Sequence, residues 1–437
     1  MSKRIQLITF LVFFLALCLP SIQQNTGFFK LPSINENRNR IGFPNGGRSS
    51  GFLLEHIYNL GVSYTSQYER AYNDNYGFRD FLILAKNQLD FSLFKHSDDI
   101  IIGSNGYLFF RDMLEKDLVQ SERITNEQLN TIQENIVGFS QLLQQKGIRL
   151  VVLLCRDKES IYADHILAPT ALRPKKVRSE SYVEFFSKQK NILFLDSLEL
   201  LERAKKLTPV YYKTDFHWNT LGAYYMGRRL VNFLAAAEGL PSLWKKEPII
   251  QETPNFSGTQ NLYLATFAPA TETAFEAKST LGDRFKLLDQ PLFPFEYYSI
   301  SKLAKSNLLP KTVIIGNSFS PYFFSTDFPA FFKEVGYLFK GHLSFTSFEN
   351  LIPEGTKYVV LQVNEFDLGT YYTTAVVWKF LEKWGLGGCL DLTCHERYPT
   401  GAKLLLLKNS IRQIGDSYTF KMFSYLMLNY SPSNQHK

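Results

Sequence analysis

The stretch TVIIGNSFSPYFF, Thr312 to Phe324, decides how the chain is read. Its first part, Thr312 to Gly316, is a short uncharged run rich in β-branched residues, the pattern of a strand covered on both faces. Gly316 permits a tight turn, and Ser318 follows at the passage into the next element. Three similar runs lie on either side of it: IRLVVLLC from Ile148 to Cys155, NILFLD from Asn191 to Asp196, and YVVLQV from Tyr358 to Val363. Segments with helical spacing alternate with them, at about Asn126 to Gln145, Glu180 to Gln189 and Asn219 to Ala237, and a helix-like stretch leads from Gly316 toward Tyr358. Short apolar runs alternating with helices predict an α/β fold, a parallel sheet flanked by helices. Further upstream, apolar residues recur at helical spacing from about Phe52 to Lys95. DIIIGSNGYLFF then reads as two strands joined at Ser104-Asn105-Gly106, since Asn-Gly between strand residues is a hairpin signal.

In open α/β sheets the working residues gather at the carboxyl ends of the strands. That rule points to Arg156-Asp157-Lys158, to the segment after Leu195, to Asn317-Ser318 and to Asn364-Glu365. A serine hydroxyl is a poor nucleophile at neutral pH and needs a base. YYKTDFHWNTLGAYY supplies one, with Asp215 and His217 two apart. Alternate residues of an extended segment share a side, so the carboxylate can fix one imidazole nitrogen and leave the other as a general base. Asp215, His217 and Ser318 are therefore the expected catalytic triad, with backbone N–H groups at the serine turn stabilising an oxyanion. Asn317 lies at that oxyanion turn. Lys158 and Glu365 are expected to line the pocket or to be ordinary solvated charges, and Trp218 to stack on a ligand ring or pack in the core. No second histidine stands at ligand spacing from His217, so no metal site is expected.

The N-terminus sets the compartment. Lys3 and Arg4 precede the apolar run Ile5 to Ile22, the pattern of a signal peptide or an uncleaved anchor with its short basic side in the cytoplasm. Residues 23–50, rich in Asn, Gly, Arg and Pro, read as a stalk. A single domain is expected over 51–410, followed by a polar tail over 411–437. A net charge of +7 spread over 437 residues is a mild excess, and its densest clusters, Arg173 to Arg178 and Lys245-Lys246, are short, so no nucleic-acid partner is expected. Cys18 and Cys155 look like buried small hydrophobes, while Cys389 and Cys394 are close enough for a local disulfide in an exported chain.

From about Glu36 to Leu368 the chain resembles the AlgX/AlgJ-type SGNH-hydrolase-like polysaccharide O-acetyltransferases. The resemblance lies in NENRNR, YGFRDFLI, IIGSNGYLFF, RDKESIY, TDFHWN and GNSFS, the most specific being TDFHWN. It implies that Asp215 orients, His217 acts as base and Ser318 as nucleophile. It also implies no cofactor, a polysaccharide acceptor and a membrane-bound acyl-donor protein as partner, with the domain in the periplasm. The serine block reads Gly-Asn-Ser where the family usually has Gly-Asp-Ser, and Asn364-Glu365-Phe366 lacks the family's arginine after the glutamate. Two alternatives keep the same residues: a carbohydrate acetylesterase using the triad, and a non-catalytic glycan-binding scaffold.

Overall fold

The computed structural model describes residues 3–34, 40–43, 54–114, 126–167, 178–289, 291, 295–303, 308–340 and 352–366. These residues belong to two units, one holding the described residues up to 97 together with 264–269, the other those of 98–263 and 270–366. Cys389, Cys394 and the expected tail lie outside the described residues.

The first unit begins with α1, Lys3–Thr26, which runs through Pro20 and past the Ile22 boundary read from the sequence. Its apolar window has a mean hydropathy of 2.4 with none of it buried, so it is long and apolar enough to cross a membrane. Cys18 is therefore partly exposed rather than buried, because it lies in the apolar window that the described residues leave uncovered. Two further helices, α2 (Leu54–Asn75) and α3 (Arg79–Leu89), follow where helical spacing places them.

The second unit is built on a seven-stranded sheet. Its strands are β3 (Arg149–Cys155), β4 (Leu193–Asp196), β7 (Phe285–Leu287), β8 (Tyr297–Ser301), β9 (Thr312–Gly316), β10 (Glu334–Phe339) and β11 (Tyr358–Asn364). Their order across the sheet is β4-β3-β11-β9-β10-β8-β7. From β4 to β10 every neighbouring pair is parallel, whereas β8 and β7 join antiparallel at one edge. The sheet is therefore mixed, not purely parallel. The helix-like stretch expected after Gly316 is only two short turns, at Pro321–Phe324 and Phe328–Phe331, before β10 begins.

Alternation along the strands sorts their side chains onto two faces. Val151, Leu153 and Cys155 of β3, with Ile314 and Val360, face α8 (Thr220–Ala237) through Leu221, Leu230 and Leu234. Leu150, Val152 and Leu154, with Val313, Ile315 and Val359, face α4 (Asn126–Gln145) and α6 (Arg178–Ser187) through Ile136, Phe139, Tyr182 and Phe186. Burial on both sides explains why these strands read as unbroken apolar runs. Asn219 caps α8, its side chain accepting from Gly222 N at 3.0 Å. Two hairpins complete the unit. The first joins β1 (Ile100–Ile102) to β2 (Leu108–Phe110) across the expected turn, where Asn105 and Gly106 both take positive φ. The second joins β5 (Ile249–Phe256) to β6 (Glu272–Lys278).

Candidate active site

β9 delivers the serine. After Gly316 the chain turns back on itself: Asn317 Oδ1 accepts Phe319 N at 3.1 Å and Asn317 O accepts Ser320 N at 3.1 Å. Gln362, projecting from neighbouring β11, anchors the turn, its Oε1 accepting Asn317 N and Ser320 Oγ, each at 2.9 Å. Gly316 is required by space and not by a left-handed φ, since a Cβ there would sit 2.5 Å from Gln362 Oε1. Ser318 is left exposed, and its N–H has no acceptor among the described residues, while Phe319 N is already taken. One backbone donor beside the hydroxyl is thus open to an incoming oxyanion.

The base comes from the bend between β4 and α8. His217 Nε2 lies 2.7 Å from Ser318 Oγ, and His217 Nδ1 lies 2.7 Å from Asp215 Oδ1. Both fall within the reach that a nucleophile, its base and an orienting acid require, about 2.6 to 3.2 Å. An Nδ1 proton donated to the carboxylate leaves Nε2 to accept the Ser318 hydroxyl. Asp215 Oδ1 also accepts His217 N at 3.0 Å, and Oδ2 accepts Thr259 N at 2.8 Å. Burial raises the carboxyl's pKa, but the His217 imidazole and the two backbone donors outweigh it and hold Asp215 well below the ordinary carboxylate range. The rings of Phe216, Phe319 and Tyr322 surround the imidazole with centroids at 3.8, 5.0 and 5.4 Å, keeping bulk water from the pair. Burial, then the charges of Asp215 and Glu276, push the Tyr322 hydroxyl up, so it stays protonated beside the imidazole.

The bend itself is gripped on two sides. Glu272 of β6 accepts Lys213 N at 2.9 Å, Thr214 N at 2.7 Å and Thr214 Oγ1 at 2.8 Å. Thr214 Oγ1 in turn accepts Gly258 N at 2.9 Å, and a Cβ on Gly258 would lie 2.6 Å from that of Asp215. From the other side the ammonium of Lys158, on the short helix α5 (Lys158–Ile161), donates to Asp215 O and Gln260 Oε1 at 2.7 Å.

The structure brings Asp215, His217 and Ser318 together, keeps Asn317 in the serine turn beside them, and turns Lys158, Glu365 and Trp218 inward. Lys158 is fully buried and faces acceptors, so it neither lines an open pocket nor meets solvent. Burial lowers its pKa against the raising charges of Glu159, Asp215 and Glu272. With only acceptors around the amine, it stays protonated at neutral pH. Glu365 is 2% exposed, held by Arg156 at 3.1 Å, Asp157 N at 3.3 Å and the hydroxyls of Ser160 and Ser179. The strand-end rule locates both residues correctly at the rim but does not say that they turn inward. Trp218 lies in the core, its Nε1 donating to Phe319 O at 3.0 Å, so stacking on a sugar is excluded and the indole instead ties the base loop to the serine turn. Asn317 shapes the turn through Oδ1, which accepts as an aspartate oxygen would. Sequence reading missed Gln362, Glu272, Gly258, Thr259 and Gln260. Only Gln362 carried a signal, as a lone amide within the apolar run YVVLQV that needs a buried partner.

Residues 100–343 match the family described as "SGNH hydrolase-like domain, acetyltransferase AlgX", which covers more than half of the chain. The chain belongs to this family. Proteins similar to the chain include the "Probable alginate O-acetylase AlgJ" of Pseudomonas putida, 28% identical over 138 residues, covering 31% of this chain and 34% of that protein. Its counterpart in Pseudomonas syringae pv. tomato is 25% identical over 216 residues, covering 48% of this chain and 52% of that protein. The chain thus spans between about a third and a half of the length of these relatives. The O-acetyltransferase domain of Pseudomonas putida AlgJ is a solved structure similar to this chain, with a TM-score of 0.43 and 17% identity, covering 64% of this chain and 98% of that domain.

Proposed function

We propose that the chain is an extracytoplasmic O-acetyltransferase that moves an acetyl group through an acyl-Ser318 intermediate onto hydroxyls of a cell-surface polysaccharide. The observation that carries this reading is the 2.7 Å approach of His217 Nε2 to Ser318 Oγ, with Asp215 at 2.7 Å behind the imidazole. As Ser318 Oγ bonds to the acetyl carbonyl carbon, its proton passes to His217 Nε2. The carbonyl oxygen becomes an oxyanion received by Ser318 N–H. Collapse expels the donor's leaving group, which takes the proton from His217, and acetyl-Ser318 remains. A sugar hydroxyl then gives its proton to His217 as its oxygen bonds to the ester carbonyl carbon; the acyl–Oγ bond breaks, and His217 returns the proton to Ser318 Oγ, freeing the serine. The Asp215 carboxylate, kept ionised by its donors, stabilises the imidazolium in both halves of the reaction.

The relatives' description as alginate O-acetylases and the family match support a polysaccharide as acceptor. The apolar helix α1 supports membrane attachment, with the catalytic unit on the far side from Lys3. A membrane-bound protein delivering the acyl group fits that placement. Exposure of Ser318 favours a second reading, the acetylesterase, in which water replaces the sugar hydroxyl. The two readings separate when the full chain is incubated with an acetyl ester, with and without glycan. Acetylated sugar at the expense of acetate marks a transferase, and acetate alone an esterase. A serine-directed sulfonyl fluoride should modify Ser318, as read by peptide mass spectrometry, and His217→Ala should abolish the modification. Failure to label Ser318 in the wild-type chain would sink both readings.

A further inference from the structure

Lys158 carries more than its burial. Its ammonium donates to Tyr212 O at 3.4 Å, Lys213 O at 3.2 Å, Asp215 O at 2.7 Å and Gln260 Oε1 at 2.7 Å, and lies 5.4 Å over the ring of Phe109. Burying an ammonium is costly unless it is well hydrogen-bonded. In an extended segment successive carbonyls point to opposite sides, so those of Tyr212 and Lys213 cannot meet one donor unless the chain bends between them. Lys213 O is shared with Leu108 N of β2 at 2.9 Å, which pins the same peptide from the hairpin side. Glu272 meanwhile holds the N–H groups of Lys213 and Thr214. A buried cation thus collects carbonyls and a carboxylate collects amides, on the one bend that carries Asp215 and His217.

We infer that Lys158 is a positioning residue for the Asp215–His217 pair. Its ammonium draws the carbonyls of Tyr212, Lys213 and Asp215 to one point and so holds the bend that aims the imidazole at Ser318. This inference rests on the proposed triad. Lys158 touches neither Ser318 nor the imidazole, and its effect passes through the backbone of Asp215. The charged groups around the ammonium are Glu159 on its own helix, Asp215 on the bend and Glu272 on β6.

The test uses the full chain in detergent, with an acetyl ester as donor, comparing wild type, Lys158→Met and Lys158→Gln. Methionine keeps the length and removes every donor, whereas glutamine restores two N–H groups without the charge. A displacement of about 1 Å at a catalytic group costs about 100-fold in rate. Lys158→Met is therefore expected to lose about 100-fold in kcat with KM unchanged within about threefold, and Lys158→Gln to recover about 10-fold of the loss. The downfield proton of the His217 Nδ1–H···Asp215 bond, assigned by its disappearance in Asp215→Asn, should be present in wild type and absent in Lys158→Met at a temperature where that variant is folded. A folded Lys158→Met with wild-type kcat and an intact downfield proton overturns the inference. So does the loss of folded protein in both variants, which would make Lys158 a folding residue only. If wild type itself neither turns over ester nor acylates Ser318, the triad reading fails, and the proton resonance still reports whether Lys158 holds the bend.

Discussion

At the residue scale the site depends on how few groups are left uncommitted. Both oxygens of Asp215 are committed, to His217 and to Thr259, a placement suited to fixing one tautomer of the imidazole. Asp215→Asn keeps the shape and gives the imidazole a donor where it needs an acceptor. It should lower the rate of Ser318 acylation by about 10³- to 10⁴-fold, measured as the burst with an acetyl ester, while ester binding changes little. The same carboxyl links the site to acid stability. Its folded-state pKa lies below its unfolded value of 3.8, so its contribution is complete above that value and is lost as pH falls from it toward the lower folded-state value. Denaturation midpoints of wild type should fall between about pH 4 and pH 2 more steeply than those of Asp215→Asn. Equal slopes would mean that the carboxylate is not held as described.

At the scale of elements, β9, β11 and the base loop act as one assembly. Gln362 is the joint, because one amide oxygen holds both the Asn317 N–H and the Ser320 hydroxyl. Gln362→Leu fits the apolar strand but strips the turn of its acceptor. It should cost about 1 to 3 kcal/mol in denaturant unfolding and slow acylation of Ser318. A variant as stable and as fast as wild type would show that the turn stands without it. The parallel strands were legible because burial on both faces leaves runs such as TVIIG and IRLVVLLC without polar interruption. β5 was not, since IIQETPNF is largely exposed, contains Pro254 and shows little alternation. β10 escaped notice because EVGYLF follows closely on the aromatic run PYFF, and the two merged into one helical reading. In the site, the three side chains that meet, Asp215, His217 and Ser318, could be named from the sequence. The direction in which Lys158, Glu365 and Trp218 point could not, because partners more than fifty residues away decide it.

At the scale of the whole molecule, the seven-stranded sheet draws its central members from distant parts of the chain. Ending the chain at residue 351 removes β11 and leaves β3 and β9 without their common neighbour. Such a chain should show no cooperative unfolding transition by circular dichroism, and a sigmoidal melt near the wild-type midpoint would contradict the pairing. Removal of residues 1–26 bears on attachment instead. The shortened chain should leave the membrane fraction for the soluble one while keeping ester turnover, and persistence in the membrane fraction would point to another means of attachment.

Among the described strands β11 is the last to be synthesised, yet it lies between two earlier ones. A growing chain therefore carries an empty lane in the middle of its sheet until Asn364 has emerged. Ser318 is by then long made, but the amide that steadies its turn arrives only with that final strand. Assembly of the serine turn thus waits until that strand has docked, and a polypeptide stopped short of it leaves the Asn317 N–H and the Ser320 hydroxyl without their common acceptor.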